Sequence, residues 1–197
     1  VWWGRRLVSG TVLGARSHKF LVAIARANKD YALAWLDIST GELYAATSTL
    51  EDIPTQLSRL NPGEILVSDK WFDEAALQSV LKEWDRALTP LPSVRFDSQN
   101  GERRLKALFE VSALDAFGQF SRAELAASGS LVDYVELTQK GKFPLIKPPI
   151  QQSSSDIMAI DGATRRNLEL TRTMNGERNG SLLSTIDRTI TGAGARK

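Results

Sequence analysis

Three apolar runs separated by short turns restrict this chain more than any other feature. Phe20-Leu21-Val22-Ala23-Ile24-Ala25 is apolar and of strand length. Asn28-Lys29-Asp30 supplies a turn, because asparagine and aspartate bond their own backbone and tolerate left-handed conformations. Tyr31-Ala32-Leu33-Ala34-Trp35-Leu36-Asp37-Ile38 follows. Alternation along a strand puts Leu33, Trp35 and Asp37 on one face and Ala32, Ala34, Leu36 and Ile38 on the other. Ser39-Thr40-Gly41 turns again, and Glu42-Leu43-Tyr44-Ala45-Ala46-Thr47 makes a third run. Strands joined this closely pair antiparallel, so the spacing predicts a meander.

Helical periods take over next. Leu50, Ile53, Leu57 and Leu60 share one helix face, with Pro54 tolerated in the first turn. Asn61-Pro62-Gly63 ends that helix, and Glu64–Ser68 reads as a short buried strand. Phe72, Ala75, Ala76, Leu77, Val80, Leu81 and Trp84 fit a second amphipathic helix. Leu88–Phe96 carries Pro90 and Pro92 and suits an edge strand, because proline cannot donate to a ladder. Arg103–Glu110, Leu114–Phe117 and Glu124–Gln139 continue as helices. Ser121 caps the last, and Ala126, Ala127, Leu131, Val132, Val135 and Leu137 form its apolar side. The order is βββαβαβ followed by helices, which predicts an α/β fold of RNase H-like type, a mixed sheet with flanking helices.

Phe143–Pro149 is extended, since prolines forbid helix there, and Gln151–Ser155 is a polar linker. The expected domains are residues 1–148 and, beyond them, a linker with the first helices of a second, all-α domain over 149–197. Asp161 is a good N-cap for a helix carrying Ala163, Leu168, Leu170 and Met174. Gly176 breaks it, and Ser181 starts a second short helix with Leu182, Leu183 and Ile186 inward. Two short helices cannot bury themselves alone, so this segment is expected to open a larger helical domain, cut within it. The first ten residues, with Trp2 and Trp3 beside Gly4-Arg5-Arg6, fit no clear period.

Composition removes several kinds of chemistry. The 197 residues contain no cysteine, which excludes disulfides, thiolate metal sites and cysteine nucleophiles. The single histidine, His18, precedes a strand and reads as a surface residue. No apolar run is long enough to span a membrane, no signal peptide is visible, and a cytoplasmic location is expected. From Asp161 onward seven basic residues face four acidic ones, +3, which leaves the first 160 residues at −1 with 18 basic and 19 acidic. A near-neutral first domain suits phosphate binding poorly, because that affinity grows with each neutralised phosphate.

The strand order raises one enzymatic alternative. Nucleases of that fold hold two divalent metals about 4 Å apart on three or four carboxylates. Asp37, Glu42, Asp69 and Asp97 are the candidates by position. Phe20–Ala25, however, offers no acid in the first strand, and Asp37 before Ser-Thr-Gly reads as a turn cap. Gly41, Gly63, Gly129 and Gly141 fall at turns or packing points and build no phosphate loop. Trp35, Trp71 and Trp84 read as core, and Arg103, Arg104 and Lys106 as a solvated basic face. A free-standing interaction module is the other alternative.

Two blocks near the end carry a resemblance. Ile160-Asp161-x-Ala163-Thr164-Arg165-Arg166-Asn167-Leu168-Glu169-Leu170 and Ser181-Leu182-Leu183-Ser184-x-Ile186-Asp187-Arg188-Thr189-x-Thr191 resemble the start of the core, or lever, domain of the bacterial MutS family. Ala34-Trp35-Leu36-Asp37-Ile38-Ser39-Thr40-Gly41 and Asn61-Pro62-x-Glu64-Ile65-Leu66 resemble strand motifs of that family's connector domain. Val8-Ser9-Gly10-Thr11 departs from the family's usual Val-Thr-Pro-Gly-Thr, lacking the proline. The resemblance implies a connector followed by the opening of the lever, inside a protein that binds mismatched duplex DNA as a homodimer and recruits MutL. It places ATP and Mg in an ATPase domain outside this stretch, and implies no catalytic, cofactor or metal residue within it. Arg165 and Arg166 read as packing stems or a solvated face, with no DNA role implied.

Overall fold

The apolar runs pair as their spacing predicts. The computed structural model describes residues 20–138, 145–153 and 160–191. In it β1 (Phe20–Ala27), β2 (Asp30–Asp37) and β3 (Leu43–Ser48) form an antiparallel meander. Asn28 takes φ 60 in the first turn. Gly41 takes φ +74 in the second, where an added Cβ would stand 1.9 Å from the Leu145 carbonyl oxygen. Only glycine fits that position.

Two crossovers then build outward from β1. α1 (Ile53–Leu60) leads to β4 (Glu64–Ser68), which lies parallel to β1. α2 (Ala75–Leu81) leads to β5 (Leu88–Leu91), parallel to β4. α3 (Ser98–Leu108) and α4 (Arg122–Thr138) cover the opposite face, and β6 (Ile150–Gln151) adds in parallel beside β3. The sheet order is β5-β4-β1-β2-β3-β6.

A sheet apolar on both faces needs a helical layer on each. Leu21, Ala23, Ala34, Leu36, Ala45 and Leu66 pack against Leu105 of α3 and Ala127, Leu131 and Val132 of α4. On the reverse face Val22, Ile24, Leu33, Trp35 and Ile65 meet Ile53, Leu57 and Leu60 of α1 and Leu77 and Leu81 of α2. Alanines on the α4 side of β1 and β2 let the longest helix sit close to the sheet. Each fully buried leucine contributes roughly 1.5–3 kcal/mol by leaving water.

Several expectations need correction. The helix read over 72–84 is three pieces: a 3-10 turn Asp69–Asp73, α2, and a 3-10 turn Lys82–Ala87. Glu74 breaks it in extended conformation, where its carboxylate takes two hydrogen bonds from the Arg26 guanidinium at 2.7 and 2.8 Å. Ala75 and Ala76 are exposed, while Trp71 is buried against the sheet. α3 starts at Ser98, five residues before the reading from Arg103, because Asp97 caps it. Residues 114–117 form a turn, closed by Phe117 N–H donating to the Leu114 carbonyl at 2.8 Å, with too few residues for a helix. Leu137 is exposed and does not join the apolar side of α4. β5 keeps Pro90 at the sheet edge as expected but ends at Leu91, and Ser93–Phe96 is a 3-10 turn. Gln151, read as linker, lies in β6.

The closing segment is shorter in helix than the sequence period implies. α5 (Gly162–Asn167) ends where Glu169 adopts φ 46, so Leu170 and Met174 lie beyond it. α6 (Leu182–Ile186) is tied back by Leu182 and Leu183 N–H bonds to the Glu169 and Leu170 carbonyls at 3.0 and 2.9 Å. Leu182, Leu183 and Ile186, expected inward, are exposed, as are Leu168 and Met174. Among the described residues nothing covers that apolar side. Trp2, Trp3, His18, Gly141, Phe143, Ile157 and Met158 lie outside the described residues.

Candidate functional site

Each of the four candidate carboxylates is tied to groups of its own surroundings: Asp37, Asp69 and Asp97 accept backbone N–H bonds, and Glu42 meets two side chains. Asp37 is buried, and its Oδ1 accepts from Ser39 N–H at 2.8 Å and Ser39 Oγ–H at 2.5 Å. Its carbonyl accepts from Gly41 N–H at 2.8 Å, so the residue closes the β2–β3 turn as the sequence predicts. Glu42 accepts from the Tyr44 hydroxyl at 3.1 Å and pairs with Lys147 at 3.3 Å. Burial first, and then that carboxylate, raise the Tyr44 phenol. Asp69 Oδ1 accepts from Lys70 and Ser93 N–H at 2.9 and 3.0 Å. Asp97 accepts from Asn100 N–H at 2.7 Å as the cap of α3. Among the described residues no three acidic or histidine side chains converge on a point that could hold a metal ion. The sheet does not bring the four together.

What the fold does bring together is a polar framework around α4. Asp133 is mostly buried and receives the guanidiniums of both Arg95 and Arg104, the latter at 2.5 Å. Arg104 also approaches Glu136 at 3.7 Å. Arg104 therefore pins α3 to α4 and does not belong to a solvated face. Lys106 pairs with Glu102 one turn earlier at 2.6 Å, and Arg103 reaches Asn100 at 2.7 Å, both at the surface. At the next residue of α4, the Tyr134 hydroxyl donates to Glu64 Oε1 at 2.6 Å, and Thr89 Oγ–H donates to the same atom at 2.6 Å. That oxygen joins α4 to β4 and β5. Burial, then the hydrogen bond and charge of Glu64, raise the Tyr134 phenol strongly.

The start of α4 holds the last strand. Ser121 and Glu124 form a capping box, with Ser121 N–H donating to Glu124 Oε2 at 2.7 Å and Glu124 N–H to Ser121 Oγ at 3.2 Å. Buried Glu124 then accepts from Gln151 Nε2 at 3.1 and 3.3 Å, and the same amide reaches the Gln119 carbonyl at 3.0 Å. The capping serine was legible in the sequence; the strand clamped on it was not. Glu124, Asp133 and Tyr134 were missed because their partners lie 27, 38 and 70 residues away.

A junction closes the description. α5 rests on α1, where an added Cβ on Gly162 would stand 2.8 Å from Ser58 Oγ. Asp161 caps α5 through Thr164 N–H at 2.9 Å and Thr164 Oγ–H at 2.6 Å, and those bonds lower its carboxyl. Beneath it the Arg59 guanidinium lies 5.4 Å from the Trp35 ring centroid, and Trp35 stacks on Tyr44 at 5.6 Å. No helix among the described residues is long and apolar enough to cross a membrane.

Comparison with known proteins gives one consistent picture. A family model described as MutS domain II matches residues 19–147. The DNA mismatch repair protein MutS of Ruegeria pomeroyi is 49% identical over 190 residues, 96% of this chain and 22% of that protein. The protein of the same description from Cereibacter sphaeroides is 48% identical over 194 residues, covering 96% of this chain and 21% of its own length. That from Paracoccus denitrificans is 48% identical over 190 residues, again 96% of this chain and 21% of its own length. The chain thus spans about a fifth of the length of these relatives.

Proposed function

The chain belongs to the MutS family of DNA mismatch repair proteins, and from that membership we propose that it is a relay piece of such a protein. Residues 1–148 are the connector, and 149–197 are the linker and opening helices of the lever domain. The connector carries conformational change between a DNA-reading part and an ATP-hydrolysing part and lends surface to MutL docking. The intact protein binds mismatched duplex DNA as a cytoplasmic homodimer, with ATP and Mg held outside this stretch.

One observation carries the reading: the matched residues form a sheet cored on both faces and cross-tied by buried polar bonds. Such a body moves as a unit, because close-packed interiors transmit displacement and do not deform continuously. The order β3-β2-β1-β4-β5, with β1, β2 and β3 antiparallel and β4 and β5 parallel to β1 and β4, supports an RNase H-like description of the connector. The backbone hydrogen bonds that Asp37, Asp69 and Asp97 accept favour relay over metal-dependent strand cleavage.

The test uses a full-length protein carrying this chain. A flexible Gly-Ser insertion between Ser153 and Ile160 is expected to leave mismatch binding and DNA-free ATP hydrolysis near native. ATP-triggered release from the mismatch and MutL recruitment should fall several-fold. Unchanged release and recruitment would overturn the relay. The 197-residue chain alone is expected to hydrolyse no ATP and to show no preference for a mismatched duplex.

A further inference from the structure

Asparagine precedes glycine three times in the chain, at Asn100-Gly101, Asn175-Gly176 and Asn179-Gly180. In this pair the side-chain amide lies open to the following backbone nitrogen, because glycine brings no Cβ to hinder the approach. The fold holds the three nitrogens differently. Gly101 N–H donates to the Asp97 carbonyl at 2.9 Å within α3, and Asn100 Oδ1 accepts from Arg103 at 2.7 Å. Gly176 N–H closes a turn on the Thr173 carbonyl at 2.8 Å, and Thr173 N–H donates to the Glu177 carbonyl at 2.8 Å. Gly180 N–H instead donates to a side chain, Ser184 Oγ, at the longer distance of 3.1 Å, and that side chain can rotate to another rotamer. Asn179 and Gly180 are both exposed.

We propose that Asn179 is a self-modification site: its side chain cyclises onto the Gly180 nitrogen, and the isoaspartate that follows releases the cap of α6. Hydroxide from solvent removes the Gly180 amide proton, and that nitrogen attacks Asn179 Cγ. The N–Cγ bond forms, the Cγ–Nδ2 bond breaks, and ammonia leaves with a proton from water, which leaves a five-membered succinimide. Water then opens the ring. Attack at Cγ gives aspartate, and attack at the Asn179 main-chain carbonyl carbon gives isoaspartate, whose backbone runs through Cβ and Cγ. The isoaspartate inserts an extra main-chain atom into a turn that has no slack. Ser181 N–H and Oγ–H both close that turn on the Arg178 carbonyl, at 3.2 and 2.7 Å. Buried Ser181 is also the cap of α6, its Oγ accepting from Ser184 N–H at 3.2 Å. A helix of five residues does not hold without such ties. The inference concerns the chemistry of this loop and holds whether or not the segment relays motion.

The experiment ages a full-length protein carrying this chain in mildly acidic and mildly alkaline buffer and maps its peptides by mass spectrometry. Asn179 is expected to convert at least fivefold faster than Asn175, with Asn100 unchanged, and faster in alkali because attack needs the deprotonated nitrogen. Ser184→Ala removes the acceptor of the Gly180 N–H and should speed Asn179 several-fold while leaving Asn175 as it was. Asn179→Gln should stop conversion there, because its ring would need an extra atom. Amide exchange at Ser184 and Thr185 should quicken in step with the isoaspartate fraction, whereas Asn179→Asp, with the normal linkage, keeps native protection. Asn175 converting as fast as Asn179, no conversion at Asn179, or a rate indifferent to Ser184→Ala would overturn the site. Native protection of both amides in molecules carrying the isoaspartate would overturn the release of α6.

Discussion

Gly101 on α3 and Gly129 on α4 meet backbone to backbone: a Cβ built on Gly129 would lie 2.2 Å from the Gly101 Cα, and one on Gly101 2.3 Å from the Leu125 carbonyl oxygen. Neither clash can be relieved by turning a side chain, because both obstacles are main chain. Alanine improves helix propensity by about 1 kcal/mol over glycine. Overpacking a tight contact costs about 1–3 kcal/mol or more. The steric cost wins where backbone must move. Gly129→Ala and Gly101→Ala are therefore each expected to lower stability by roughly 1–2 kcal/mol in urea unfolding of the chain. Stabilisation by either variant would mean the helices separate freely.

Asp133 supports a second prediction. It neutralises Arg95 and Arg104 at the heart of the α3–α4 contact. Asp133→Asn keeps the shape and removes the charge, leaving two cations facing each other. Breaking a fully buried pair costs about 3–5 kcal/mol. The two arginine side chains remain 31% and 33% exposed, so water recovers part of that. A loss of about 1–3 kcal/mol is expected, with the larger share recovered when Arg104 is also replaced by Met. Additive losses in the double variant would show that the pair is not coupled.

These two contacts mark where the sequence stops being informative. The meander was readable because each strand is continuous, its turns carry asparagine or glycine, and pairing is between neighbours. α1 was readable for the same reason: Ile53, Leu57 and Leu60 repeat within one helix. α4 is different. It is buried on nearly every side, so Glu124, Ser128, Ser130 and Asp133 interrupt the apolar stripe while lying inside the protein. A period of 3.6 cannot mark a helix surrounded by neighbours. Arg104 was misread because its carboxylate is 29 positions further on, and charge alone does not reveal a partner. The stretch 69–87 failed as one helix because the Arg26–Glu74 bond is non-local and bends it. Asp37, by contrast, was legible as a cap from Ser-Thr-Gly immediately behind it.

Tyr134 gives a pH dependence whose sign follows from its burial. The phenol is raised from the ordinary value of 10.0, so the folded state keeps its proton where the unfolded chain has released it. The unfolded state then binds fewer protons, and unfolding free energy falls as pH rises. The stabilisation is fully present below pH 10.0 and declines above it toward the folded value. Tyr44 is raised for a similar reason and contributes in the same direction. Denaturation at pH 8 to 11 should show Tyr134→Phe about 1 kcal/mol less stable at the acid end, from the lost bond to Glu64, with a flatter alkaline decline. An alkaline slope unchanged in Tyr134→Phe would assign the titration elsewhere.

Gln151 controls how firmly the last strand is held. β6 has two residues and pairs on one side only, with Gln152 N–H donating to the Ala45 carbonyl at 2.8 Å. So short a ladder is marginal by itself, because ordering each residue's backbone costs about 1–2 kcal/mol. The Gln151 amide supplies the remainder by reaching the Gln119 carbonyl and the Glu124 carboxylate, already fixed by its capping box. Hydrogen bonds to a charged acceptor contribute about 1.5–3 kcal/mol. Gln151→Ala should therefore release β6 while leaving the other five strands intact. Native-state hydrogen exchange is expected to show protection of the Gln152 amide falling at least tenfold, about 1.4 kcal/mol, with β1 and β2 amides unchanged. Equal loss across the sheet would mean that β6 and the core open together, and that the strand is no separate latch on α4.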